Sequence, residues 1–207
     1  MKTILVLLTS IFFAGVSFGQ NNCFENCMTN FDKNSKAISD SNGFPNIEKV
    51  IESSQKILDD LIGCKFPDFD AKTITGKPLS LNSFKGKVLV INFCYSSCTP
   101  CESIVPALNK LVDDYKNKDV SFLAFWRYDK EDAINFLKKT GFKYDVIADY
   151  PDQERLFCLI GGWPENMVVD QNGIVRFIRT GGFTDERAKT QAYDYLKPII
   201  DKYLKIK

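Results

Sequence analysis

An α/β fold, with a central mixed sheet, helices on both faces and a short N-terminal helical extension, is what this sequence predicts, and three observations carry it. Residues 88–93 and 120–126 are continuous apolar runs, the pattern of strands buried on both faces. A helix-period stretch lies between them, and strand, helix and strand in that order make a parallel crossover. Further on, Gln171-Asn172-Gly173 separates two short apolar runs, a tight turn that adds an antiparallel hairpin and so makes the sheet mixed.

Each element follows in order. Met1 and Lys2 precede an apolar run from Ile4 to Phe13 that closes on Ala14, Gly15, Ser17 and Gly19. This is the layout of a signal peptide over residues 1–19, cut between Gly19 and Gln20. A retained membrane anchor is the alternative, but the run falls short of the ~20 apolar residues that span a bilayer. No Cys follows the cleavage point directly, which argues against a lipid anchor. Residues 20–62 read as an extension: an irregular Asn- and Ser-rich lead, then one amphipathic helix with Ile47, Val50, Ile51, Ile57, Leu58, Leu61 and Ile62 at helical spacing. Gly63 and Pro67 end it.

The domain proper is residues 63–207. After the first strand, a helix over 100–116 turns Ile104, Leu108, Leu111, Val112 and Tyr115 to one side. A second helix over 130–139 buries Ala133, Phe136 and Leu137 and stops at Gly141. A short strand at 145–148 and a short helix at 153–159 lead to Gly161-Gly162-Trp163-Pro164, the hairpin strands at 167–169 and 174–178, and a last helix over 184–204 that Pro198 should bend or break.

Charge and composition exclude several classes. The chain has 27 basic and 26 acidic residues; loss of residues 1–19 removes only Lys2 and leaves 26 of each. A neutral chain without blocks of one sign asks for neither nucleic acid nor an anionic membrane surface. There is no histidine, which removes Cys–His and Ser–His–Asp nucleophile systems and the commonest ligand for zinc, copper and iron. No metal and no cofactor are therefore expected, and the chemistry falls to sulfur, carboxylate or hydroxyl groups. Seven cysteines in an exported chain make disulfides expected, with an odd one left over.

Cys98-Thr99-Pro100-Cys101 stands where a buried parallel strand runs into a helix. A CxxC pair beside a βαβ unit is the thioredoxin-like redox pattern, here in an exported setting. Two intervening residues let both sulfurs meet across the first helical turn, closing a small ring that opens and re-forms. Cys98, at the helix N-terminus, gains from unpaired amides and the helix dipole as a thiolate and is the expected nucleophile. Cys101, one turn in, is the expected resolving thiol. Half of a zinc site would need further ligands at spacings the sequence does not offer, and an inert structural bridge is the other bland alternative.

Residues 63–183 resemble the TlpA-like (ResA-like) branch of the thioredoxin superfamily, exported bacterial thiol–disulfide oxidoreductases. The matching residues are Gly63 with Phe66-Pro67-Asp68-Phe69, Gly76-Lys77-Pro78-Leu79-Ser80-Leu81, the run from Phe84 to Phe93 ahead of CxxC, Pro106, Gly162-Trp163-Pro164, Val169-Asp170 and Asn172-Gly173. The resemblance implies that Pro164 is cis against the CxxC pair, and that Trp163 and Pro164 form the edge on which a substrate chain docks. It also implies protein thiol or disulfide substrates and a membrane electron donor.

Several positions depart from that pattern. Cys94 and Ser97 stand where relatives usually carry Trp, which implies a more open or reshaped pocket. Ile104 and Asn92 replace the buried acids of TlpA-like proteins and thioredoxins, and neither can accept a proton. Deprotonation of Cys101 then falls to water, to Glu102 or to Glu165, or is simply slow; charged residues at such places are more often plain solvated surface. Cys23 and Cys27, four apart, share a face if that segment is helical, and one of them is expected to bridge to Cys64 or Cys158. Cys94 reads as a small buried hydrophobe. The rival functions are a redox-inert binding or assembly module and a peroxiredoxin-like peroxidase, which the absence of a Pro and Thr pair upstream of Cys98 disfavours.

Overall fold

A five-stranded sheet, with its strands in the spatial order 145–148, 120–126, 88–94, 165–169 and 175–180, forms the centre of the protein. The computed structural model describes residues 23–37 and 47–205; the signal peptide read at 1–19, with its cleavage point, lies outside the described residues. β3 (Val88–Cys94), β4 (Val120–Trp126) and β5 (Asp145–Ala148) run parallel, and β6 (Glu165–Val169) and β7 (Val175–Thr180) are added antiparallel on the other side of β3. All seven residues of β3 are buried, as a central strand covered on both faces requires, and its one polar side chain, Asn92, is hydrogen-bonded to Asn166.

Alternation along β3 sorts the core into two halves. Val88, Val90 and Cys94 face one apolar cluster with α3 (Thr99–Ser103), α4 (Val105–Asp114), α5 (Lys130–Thr140) and α7 (Ala188–Leu204). Leu89, Ile91 and Phe93 face the other, with Phe66, Phe69 and Phe157 and with the extension, α1 (Cys23–Ala37) and α2 (Ile47–Asp59). Short β1 (Asp70–Lys72) and β2 (Pro78–Ser80) form a separate two-stranded ribbon, and α6 (Gln153–Leu156) lies just before the Gly-Gly-Trp-Pro segment. Among the described residues no helix is long and apolar enough to cross a membrane.

Four elements differ from the sequence reading, each for a physical reason. The extension has two helices rather than one; α1 carries Phe24 and Cys27, buried, and Met28 and Phe31, partly buried, at helical spacing on the core side. The ribbon β1–β2 has strands of three residues, too short for alternation to signal. The helix expected over 100–116 is broken at Ile104, because Pro106 in the first turn of α4 has no N–H to continue the α3 ladder. α7, by contrast, runs unbroken through Pro198. Pro198 and Asp194, whose carbonyl it leaves unpaired, both lie on the exposed side, where water can serve that carbonyl. Ala188, Ala192, Leu196 and Ile200, all buried at a spacing of four, hold the other side to the sheet.

Candidate active site

β3 delivers the chain to the CxxC turn. Its last residue, Cys94, is tied to the end of β4 by a hydrogen bond from the Arg127 N–H to the Cys94 carbonyl (3.1 Å). The turn that follows is pinned on two sides. Cys98 N–H donates to the Tyr95 carbonyl (3.3 Å), and Ser96 Oγ donates to Asp132 on α5 (2.7 Å), which also takes the indole N–H of buried Trp126 (2.7 Å). Cys98 is thereby held as the N-cap of α3, in extended backbone, with its Sγ accepting the amide of Cys101 at 3.2 Å. An N-cap side chain normally satisfies an orphan amide in this way, and here a sulfur does so.

Cys98 and Cys101 are joined as a disulfide, with Cα atoms 5.2 Å apart. Both are nearly covered, 4% and 3% exposed, so neither cysteine stands open to solvent in the disulfide form. The Trp163–Pro164 peptide is cis. Pro164 meets the redox helix around Gly182: a Cβ on that glycine would lie 3.3 Å from Ile104, 3.6 Å from Pro100 and 3.7 Å from Pro164. The loop after β7 thus brings the CxxC helix and the cis proline together, held by Gly181 N–H donating to the Pro164 carbonyl (2.7 Å).

The places of the missing family aromatics are filled differently. Tyr95 stands edge-on to Trp163 (ring centroids 5.5 Å) and to exposed Tyr128 (5.7 Å), building an aromatic wall beside the turn. Tyr95, Tyr128 and Arg127 escaped the sequence reading, because only the fold places the ends of β3 and β4 beside Trp163. Cys94 is a free, buried thiol whose ionisation burial pushes far up, which fits the small hydrophobe expected there.

The two carboxylates considered as bases take different places. Glu102 is on the surface in an ion pair with Lys139 (2.7 Å), as a solvated charge would be. Glu165 corrects the surface reading: it is completely buried, and neither carboxylate oxygen has a hydrogen-bond partner. Its neighbour Asn166 bonds Asn92 (3.0 Å) and Tyr195 of α7 (2.9 Å), on the face that carries α3. Alternation puts Glu165 on the opposite face, with Phe93 directly across in the register.

Burial without a partner holds the Glu165 carboxyl well above the ordinary carboxylate range, so folding favours its protonated form. The folded state then binds the extra proton between the unfolded and the folded pKa, and stability falls as pH rises through that window. Glu165→Gln should accordingly be more stable than wild type at pH 7. The advantage should shrink as pH is lowered to about 4, where both states of wild type hold the proton. Chemical denaturation at the two pH values checks this; an advantage of the same size at both would contradict it.

The remaining cysteines staple the extension. Cys23 is bonded to Cys64 and Cys27 to Cys158, with Cα separations of 6.2 and 6.0 Å, so both members of the N-terminal pair are engaged rather than one. Cys158, in left-handed backbone with φ 56°, lies just after α6 on the segment that leads to Trp163. Among the described residues no cluster of His, Cys, Asp or Glu has the makings of a metal site.

A strand-to-helix CxxC disulfide on this mixed sheet, with a cis proline gathered near the same helix around Gly182, defines a thiol–disulfide oxidoreductase of the thioredoxin fold. The AhpC/TSA family model matches residues 62–178, and the chain belongs to that family. It is 30% identical over 138 residues to the thiol-disulfide oxidoreductase ResA of Geobacillus thermodenitrificans, covering 66% of this chain and 79% of the relative. Identity to the ResA of Bacillus anthracis is 31% over 139 residues, covering 67% and 78%. Among solved structures it is similar to a putative thiol:disulfide interchange protein DsbE from Chlorobium tepidum, with TM-score 0.61, 26% identity, and coverage of 69% of this chain and 97% of that one. The fold is shared also by a secreted disulfide oxidoreductase of Mycobacterium tuberculosis, with TM-score 0.52, 19% identity and coverage of 65% and 95%.

Proposed function

We propose that this enzyme works outside the cytoplasm as a reductant of protein disulfides, with Cys98 as nucleophile and Cys101 as resolving thiol. The observation that carries the assignment of roles is the amide of Cys101 donating to Cys98 Sγ. That bond, at the mouth of a helix, favours negative charge on Cys98 and not on Cys101. In the reduced enzyme the Cys98 thiolate attacks one sulfur of a substrate disulfide, forming a mixed disulfide and expelling the other sulfur as a thiolate. Cys101 then loses its proton, attacks Cys98 and releases the second substrate sulfur as a thiolate. The substrate has gained two electrons, and the enzyme is left with the 98–101 disulfide. A dithiol donor, which the family resemblance puts in the membrane, returns the two electrons. Trp163 and Pro164 are the edge on which the substrate strand rests.

The direction rests on what surrounds the sulfur. With no histidine in the chain, no imidazolium stands by to hold Cys98 strongly ionised. A less stabilised thiolate makes the dithiol form the better electron donor. The reduction potential of the 98–101 pair should lie nearer to thioredoxin's, about −270 mV, than to that of the oxidant DsbA, about −120 mV. Equilibration with glutathione or dithiothreitol, read by alkylation of Cys98, measures it. A value close to DsbA's would reverse the assigned direction. Export rests on the signal-like residues 1–19, and a reporter active only outside the cytoplasm, fused after residue 20, tests it.

A further inference from the structure

The aromatic wall beside the redox turn holds one cation, and its placement deepens the reductase reading, on which this inference rests. Arg127 follows β4 directly. Its guanidinium carbon is 5.7 Å from the ring centre of Tyr95, 5.9 Å from Tyr128 and 5.6 Å from Trp163. Three rings and an ion pair between Nε and Glu154 (3.2 Å) restrain the side chain, although it is 41% exposed. With that much of the side chain reaching solvent, the planar guanidinium can be approached by an incoming group, and a carboxylate fits it bidentately.

Both structures that would grip a substrate meet at this point. Tyr95 accepts the amide of Cys98 through its carbonyl, and Trp163 is the residue before the cis proline. The adjoining loops are otherwise acidic at the surface: Asp129, Glu131, Asp149 and Asp152 are all exposed, with Lys130 and Arg155 as the only other nearby cations in those stretches. Asp149 is placed at the end of β4 by its own N–H, which donates to the Trp126 carbonyl (3.1 Å). A positive spot framed by aromatic rings inside a negative rim attracts a carboxylate at one position and repels it at the positions around it. Specificity arises in this way when attraction and repulsion are set side by side.

We infer that Arg127 is a specificity-determining residue of the reductase, selecting substrate segments that carry an Asp or Glu next to the disulfide-bonded cysteine. The test uses the whole mature chain, kept reduced by dithiothreitol, and peptide–glutathione mixed disulfides that differ only in having Glu, Gln or Lys on both sides of the cysteine. Wild type should show a kcat/KM about fivefold higher for the Glu peptide than for the Lys peptide, as befits a partly exposed charge-assisted contact. Arg127→Lys should retain part of this ratio, Arg127→Ala should bring it near one, and Arg127→Glu should invert it. Equal rates of wild type on all three peptides would overturn the inference while leaving the reductase intact. So would an unchanged ratio in Arg127→Glu. Failure of wild type to reduce any of them would instead overturn the reductase reading and this inference with it.

Discussion

Cys98→Ser should lose insulin-disulfide reduction by roughly a thousandfold or more, the scale on which removal of an enzyme's nucleophile is felt. The hydroxyl that replaces the thiol is far less acidic and far less nucleophilic toward sulfur, and no neighbouring base can rescue it. Among the described residues, Asp132 already accepts from Ser96 and Trp126, Glu102 is paired to Lys139, and Glu165 is buried on the other face of the sheet. Cys101→Ser should behave differently. It keeps the attacking sulfur but cannot release the product, so it should consume one equivalent of substrate and remain as a mixed disulfide through Cys98. Mass spectrometry of the trapped adduct distinguishes the two. An adduct on Cys101 in Cys98→Ser, formed as fast as the one on Cys98, would reverse the assigned roles. Full activity of Cys98→Ser would return the protein to the class of inert binding modules on the same fold.

How much of this could be read from residues alone differs from element to element. The central strands were plain, because strands buried on both faces are dominated by apolar residues, and in 88–93 and 120–126 only Asn92 and Ser121 depart from that. The CxxC turn was plain for a related reason: its meaning depends on a strand before it and a helix after it, and both are local patterns. The wall of Tyr95, Tyr128, Trp163 and Arg127 was not, since its members come from three separate segments that only the sheet order unites. Glu165 was misplaced because a charged residue is ordinarily on the surface. What buries it is the pairing of β6 between β3 and β7, a long-range fact. In α1 the signal was present, Phe24, Cys27, Met28 and Phe31 at helical spacing, but the polar residues between them masked it.

The staple between α1 and the segment leading to Trp163 should carry the largest share of stability that any pair of side chains supplies. Cys27 and Cys158 are 131 residues apart in sequence, whereas Cys23 and Cys64 are separated by 41. Loop-closure entropy in the unfolded chain grows with the logarithm of that distance. In the chain-entropy model the long bridge is worth about 5 kcal/mol and the short one about 4 kcal/mol. Measured bridges usually deliver about 2–5 kcal/mol when removed, so Cys27→Ser/Cys158→Ser should lower the melting temperature by roughly 5–15 °C. Replacing both cysteines avoids leaving a reactive thiol, and a Cys27→Ala/Cys158→Ala control separates the buried hydroxyls from the lost bond. Apolar packing opposes the effect: Phe24 of α1 stands edge-on to Phe66 with ring centroids 5.8 Å apart, in a cluster that also holds Leu58 and Phe157. The extension would stay docked through these contacts if they sufficed, and the double variant would then melt within about 2 °C of wild type. A large drop with either replacement, matched by wild type once a strong reductant has opened its bridges, assigns the stability to the covalent link. The same link fixes where Cys158 sits, and with it the start of the loop that carries Trp163 and Pro164 to the redox pair.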